Sequence, residues 1–193
     1  MELMSFNNPP LFSSEERQRL REIAHDSIRH GLERGEPLPI ELDSYPPLIQ
    51  RIGANFVTLT WENQLRGCVG TLDAYRPLVL DVAENAYASA FRDPRFPSLT
   101  ADEFERLTIT VSILTPPLLM TFENEQDLIF QLRPGVDGLV LEEGMLRGTF
   151  LPAVWEILPD PRLFLKELKR KIGLPPEHWS NSLRVLRYTV EKI

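Results

Sequence analysis

Apolar and polar residues alternate most clearly in LTITVSIL, where Leu107, Ile109, Val111 and Ile113 fall on one side and Thr108, Thr110 and Ser112 on the other. A period of two is the pleat of a half-buried strand. The same period runs through NFVTLTW, with Val57, Leu59 and Trp61 alternating against Thr58 and Thr60. Glu62 and Asn63 suit a turn, and QLRGCVGT returns as the hairpin partner. A second hairpin is predicted in LVLEEGMLRGTF, turning at Glu143-Gly144, and a closing strand in LRVLRYTVEKI.

Helical spacing marks other stretches. Residues 13–34 carry Leu20, Ile23, Ala24, Ser27 and Ile28 on one stripe, and Ser13 and Glu16 have capping-box spacing. PLVLDVAENAYASAF places Val79, Val82, Ala83, Ala86 and Ala90 on one face, with Pro77 suited to the first helical position. Thr100 and Glu103 open a short helix with a second capping box, and another helix is predicted near residues 124–132. Asp160-Pro161 starts the last helix, whose basic final turn and Gly173 suit a C-terminus. Four prolines in GEPLPIELDSYPPL make that stretch an extended crossing.

Helices and strands are interleaved, yet most neighbouring strands read as hairpin-linked. The expected class is therefore α+β, with mixed or antiparallel sheets and flanking helices, rather than a doubly wound parallel sheet. Neither G-x-G-x-x-G nor G-x-x-x-x-G-K occurs. At 193 residues the chain is expected to form one domain, with helix and crossing over residues 1–53 and the body over residues 54–193.

Composition narrows the function. A formal net charge of -7 repels phosphate backbones and points away from nucleic acid as a partner. No run approaches the roughly 20 apolar residues that span a bilayer, so no membrane partner is expected. MELMSFNNPP lacks the basic head and apolar run of a signal peptide. The single cysteine builds neither an internal disulfide nor a cysteine-rich zinc site, and a reducing cytoplasm is the expected compartment.

That cysteine, Cys68, sits between Gly67 and Gly70 in QLRGCVGT. Regular pleating puts Gln64, Arg66 and Cys68 on one face and Leu65 and Val69 on the other, so the thiol would lie beside a guanidinium. A neighbouring cation favours thiolate over thiol. The glycines leave room for a ligand or for another backbone, and a small buried filler is an equally good reading of the cysteine.

A nucleophile also needs a base. His25 and His30 lie five residues apart on the first helix and do not share a face. His178 is read as a local cap or packing residue in its loop. No two of these groups have metal-ligand spacing, so no metal and no cofactor is expected. FRDPRFPSL is held out of helix by proline, and Asp93, Arg95 and Phe96 either meet a ligand there or pin the loop through an Asp93–Arg95 or Asp93–Arg66 ion pair. LRG recurs at residues 146–148, and Asp81 and Glu84 read as a solvated helix face.

LRGCVGT, DPRFPSLT, ITVSIL, GTFLP and KRKIGLPPEHW together resemble one family, the AMMECR-type domain, called protein A of the AmmeMemoRadiSam system in microbes. The resemblance runs from about Ala54 to Ile193. It implies an α+β fold with a larger and a smaller lobe and a cleft near the LRGC segment. It also implies a Memo-type protein and a radical SAM enzyme as partners, and it brings no established reaction with it. The family's signature falls on Leu65, Arg66, Gly67, Cys68, Gly70 and Thr71, and on Asp93, Pro94, Arg95 and Phe96; Val69 stands where isoleucine is common.

Two functions stay open. In one, Cys68 is a nucleophile or redox thiol activated by Arg66. In the other, the chain is an accessory or ligand-binding protein, with Gly67, Gly70, Thr71, Asp93, Arg95 and Phe96 lining a recognition groove in which Arg66 and Arg95 bind a small anionic ligand. The missing base and metal cluster favour binding.

Overall fold

Ser13 opens the first helix, α1 (Ser14–Arg34), by a reciprocal cap: its hydroxyl accepts the Glu16 N–H, and the Glu16 carboxylate accepts the Ser13 N–H. Leu20, Ile23, Ala24, Ser27 and Ile28 are buried along one stripe, as their spacing predicts. The structure, a computed structural model, describes residues 10–193. Residues 1–9 of the stretch read above for a leader lie outside the described residues.

The chain continues through β1 (Ile52–Trp61), β2 (Gln64–Gly70), β3 (Arg76–Pro77), α2 (Leu78–Phe91), α3 (Ala101–Phe104) and β4 (Thr108–Leu114). It then forms β5 (Leu118–Leu119), α4 (Glu125–Gln131), β6 (Gly138–Glu143), β7 (Leu146–Phe150), α5 (Pro161–Lys171), β8 (Arg184–Tyr188) and β9 (Val190–Lys192). Two compact units result: one runs to Ile113 and takes back Glu191–Ile193, and the other is Leu114–Val190. The fold is α+β with two sheets, as expected.

In the first unit the sheet order is β2-β1-β4-β9, with β3 also on β1. Val57, Leu59, Val111 and Ile113 bury their side chains against Leu20 and Ile28 of α1 and Val79, Val82 and Ala86 of α2. Glu62 and Asn63 both take positive φ, 50° and 62°, as a two-residue hairpin turn requires. α2 begins one residue later than expected, with Pro77 as its cap.

The second unit has sheet order β5-β8-β6-β7. Its core centres on Trp155 and Phe164, whose rings stack with centroids 3.8 Å apart. Lys169 is fully buried, and Glu125 and the Pro176 carbonyl take its ammonium. Glu143 pairs with Leu146, so this hairpin turns at Gly144-Met145, one residue beyond the expected Glu143-Gly144, and Gly144 supplies a φ of +59° there.

LRVLRYTVEKI is not one strand. β8 pairs with β5 and β6 in the second sheet, and β9 belongs to the first. The break falls at Thr189, whose N–H donates to the Thr115 hydroxyl while its carbonyl accepts the Thr115 N–H. Periodicity reports which face a residue takes, not which sheet it joins.

Candidate functional site

β2 does not keep regular alternation. Cys68 lies opposite Thr58 and Gly67 opposite Leu59, but Thr60 faces Leu65, which leaves Arg66 as an extra, bulged residue. The bulge shifts every face before it by one. Cys68 therefore shares its face with Leu65, Thr58 and Thr60, while Gly67 and Val69 face the core beside Leu59 and Val57. The expected Gln64–Arg66–Cys68 face does not form.

Arg66 is instead drawn off the strand. Its Nε and Nη2 donate to the two carboxylate oxygens of Glu103, at 2.9 and 3.1 Å, and Nη2 also reaches the Pro97 carbonyl. Arg66 is buried, and its guanidinium lies 5.8 Å from the centre of the Phe96 ring. The Arg66 hydrogen bonds hold the Glu103 carboxyl at about 2, against opposing desolvation.

The guanidinium at Cys68 belongs to Arg95. Asp93, only 3% exposed, accepts the Cys68 N–H at 2.8 Å on Oδ2 and takes Nε and Nη2 of Arg95 on its two oxygens. Nη2 of Arg95 also donates to the Cys68 carbonyl at 3.1 Å. Both peptide groups of Cys68 that point away from β1 are thus met by side chains, in the way a neighbouring strand would meet them. Hydrogen bonds from Arg95 hold the Asp93 carboxyl far below the usual carboxylate range, against desolvation, with the Cys68 N–H adding to the effect. Asp93 in turn pushes Arg95 up. Phe96 lies between the two arginines, 5.5 Å from the Arg95 guanidinium.

Cys68 is partly exposed, and its Sγ lies 3.4 Å from the Thr58 hydroxyl. The space left by its neighbouring glycines is taken by the protein itself. A Cβ on Gly67 would stand 2.1 Å from the Ser89 carbonyl of α2, and one on Gly70 would stand 2.2 Å from the Phe56 ring. These glycines admit a helix and an aromatic ring rather than a ligand. Ser89 also inserts its hydroxyl into the β1–β2 ladder, accepting the Val69 N–H at 2.9 Å and donating to the Val57 carbonyl at 2.8 Å.

A buried polar cluster lies just past the C-terminal end of β2. Asp81 is fully buried, which corrects its reading as part of a solvated face. Its Oδ1 accepts the Thr71 hydroxyl at 2.8 Å and Arg76 Nε at 2.7 Å. Its Oδ2 accepts the backbone and side-chain N–H groups of Asn55 and the Asn85 amide. These donors meet both oxygens of a carboxylate withdrawn from water. Thr71, read as a ligand contact, points into this cluster. Spacing alone could not show that Asn55, Asp81 and Asn85 meet, because 30 residues separate the first from the last.

The remaining candidates separate. His25 packs against Phe104 with the rings tilted by 40°, and His30 lies within 2.9 Å of the Glu36 carbonyl. His178 is in the second unit, 3.5 Å from a Glu143 carboxylate that also takes the hydroxyls of Ser180 and Ser182. Arg147 of the second LRG pairs with Glu142 across its own hairpin. Among the described residues no group of three or more His, Cys, Asp and Glu could hold a metal ion, and no helix is long and apolar enough to cross a membrane. The second unit also carries an open groove of 810 Å³ bordered by Ile129, Leu163 and Trp179. Its rim charges Lys166 and Glu177 pair with each other.

The two-sheet α+β architecture and the arginine-braced cysteine strand define a class of protein rather than a reaction. The AMMECR1 family model matches residues 21–193, and the chain belongs to that family. A protein of Methanocaldococcus jannaschii is 35% identical over 156 residues, covering 79% of this chain and 78% of that protein. One from Methanothermobacter thermautotrophicus is 34% identical over 185 residues, 93% of this chain and 94% of that protein. The crystal structure of an uncharacterized protein from Pyrococcus horikoshii superposes with a TM-score of 0.85 at 34% identity, covering 94% of this chain and 92% of that one.

Proposed function

We propose that this AMMECR1-family chain is a cytoplasmic accessory protein that binds a small anionic ligand at the Cys68–Arg95 edge of β2 and acts with Memo-type and radical SAM partners. One observation carries this reading. Arg95 is anchored on Asp93 and on the Cys68 carbonyl, yet its side chain is 54% exposed and its Nη1 has no partner among the described residues. A guanidinium fixed from behind and open in front offers a planar fork to a carboxylate or phosphate at little cost in side-chain entropy. The partly exposed thiol stands beside it. Arg66, sequestered by Glu103, takes no part in binding.

The thiol's nearest polar neighbour is a threonine hydroxyl, which is not a general base, and this favours binding over catalysis. The enzymatic alternative keeps Cys68 as nucleophile or redox thiol with Arg95 in the place given to Arg66. Co-expression with the two partners, followed by native and denaturing mass spectrometry, tests the reading. A non-covalent ligand mass on the wild type that is lost in Arg95→Ala is expected. A covalent mass on Cys68 that survives denaturation supports the alternative, and no added mass together with no co-purifying partner overturns both.

A further inference from the structure

We infer that Arg76 is a second anion-binding arginine, so that the ligand of the proposed site carries two anionic groups. This rests on the binding reading above and extends it to the class of ligand. Arg76 and Arg95 are built alike. Each places Nε on an aspartate withdrawn from solvent, Asp81 at 0% and Asp93 at 3% side-chain exposure. Each aspartate also accepts a backbone N–H of the hairpin, from Asn55 of β1 and Cys68 of β2 respectively. Each arginine has an aromatic ring beside it: Tyr75 at 5.0 Å from the Arg76 guanidinium and Phe96 at 5.5 Å from that of Arg95.

Each also keeps donors in hand. Nη1 and Nη2 of Arg76 have no partner among the described residues, its side chain is 23% exposed, and Tyr75 beside it is 64% exposed. Arg66 differs in being withdrawn from solvent, 9% exposed with its Nε and Nη2 closed on Glu103. A buried carboxylate that orients a guanidinium while leaving its outer nitrogens open is a positioning device for an anion.

The two arginines are tied to nearby points of one strand end. Arg95 bonds the Cys68 carbonyl, and Arg76 shares Asp81 Oδ1 with the Thr71 hydroxyl. Cys68 and Thr71 are three residues apart on extended chain, which spans about 10 Å at most. The ligand class is therefore a small molecule with two carboxylate or phosphate heads, whose separation a series of chain lengths measures.

The Nε–H signals of Arg76 and Arg95 in nitrogen-15 NMR of the full chain give the test. The probes are α,ω-dicarboxylates from four to ten carbons, the matching monocarboxylates, and α,ω-bisphosphonates of the same lengths to distinguish the head group. One length of either two-headed probe should shift both signals and bind about tenfold more tightly than the matching monocarboxylate or monophosphonate, as a second charge-assisted contact implies. Arg76→Lys keeps the charge opposite Asp81 but loses the fork. It should abolish that tenfold advantage while monocarboxylates still move the Arg95 signal in the folded variant, whose melting temperature is recorded alongside because Arg76 also braces the buried Asp81. If the advantage survives in Arg76→Lys, or if no length shifts the Arg76 signal, the second subsite is overturned while the Arg95 site stands. If monocarboxylates fail to move the Arg95 signal, the binding reading itself falls.

Discussion

The Arg95 guanidinium reaches Cys68 through its backbone carbonyl, at 3.1 Å, while Asp93 takes the Cys68 N–H at 2.8 Å. One residue of an edge strand is thus held by an ion pair acting in place of a neighbouring strand. The side chain of Cys68 stands out of the plane of that bonding, with its Sγ 3.4 Å from the Thr58 hydroxyl. Access to the thiol and the charge next to it are both set by a loop of the chain's own RDPRF segment.

Arg95 should steer charged reagents toward that thiol. The rate of Cys68 alkylation by iodoacetate relative to neutral iodoacetamide is expected to fall several-fold in Arg95→Gln, since a cation within a Debye length raises the local concentration of anions. The same ratio measured at high salt should converge between the two proteins. A ratio unchanged by the substitution would place the guanidinium away from the thiol's approach path.

Gly67→Ala should be severely destabilising. Its Cβ would meet backbone, the Ser89 carbonyl at 2.1 Å, and a helix carbonyl cannot swing aside as a side chain would. Relief needs β2 or α2 to shift, at about 1–3 kcal/mol or more by analogy with overpacked cores. Urea unfolding measures it, with Met145→Ala as the control because Met145 is 99% exposed at a hairpin turn.

Ser89→Ala removes the bridge between Val57 and Val69. Two hydrogen bonds vanish and a backbone N–H and a carbonyl lose their partner inside the ladder, so a loss of about 1–3 kcal/mol is expected. Hydrogen exchange at the Val69 amide should accelerate in the variant. Exchange and stability matching the wild type would mean that the strands close on each other without the serine.

Acid should destabilise the chain through Glu103 and Asp93. Both carboxyls are lowered on folding, chiefly by arginine hydrogen bonds, Glu103 from 4.5 to about 2. The folded state binds fewer protons at these groups than the unfolded chain. Their stabilisation is therefore complete above the unfolded values near 4, and is lost as pH falls through the folded ones. Stability measured from pH 5 to pH 2 should decline, and Glu103→Gln should flatten the part that Glu103 contributes. A variant as acid-sensitive as the wild type would assign the decline to other carboxylates.

The local pattern already contained most of the elements. Capping boxes at Ser13/Glu16 and Thr100/Glu103, the alternation through Val57–Trp61 and Leu107–Ile113, and the Asp160-Pro161 helix start all depend on neighbours within a few residues. The Asp93–Arg95 pair, two residues apart, was legible as an alternative for the same reason. Family membership was legible too, because LRGC and DPRF are strings rather than shapes. What tertiary structure alone decided is everything that hangs on register and on long-range contact. A single bulge at Arg66 moves that side chain from the cysteine's face to Glu103, 37 residues away. Gly67 and Gly70 face the protein's own atoms because α2 and Phe56 come in against them. Asp81 changes from a surface acid to a buried anchor because Asn55, Thr71, Arg76 and Asn85 converge on it from β1, a loop, β3 and α2. The LRVLRYTVEKI run divides between two sheets at Thr189. Periodicity is a property of one segment with respect to one surface, whereas pairing partners, bulges and buried charge networks are properties of segments brought together, and no window along the chain contains them.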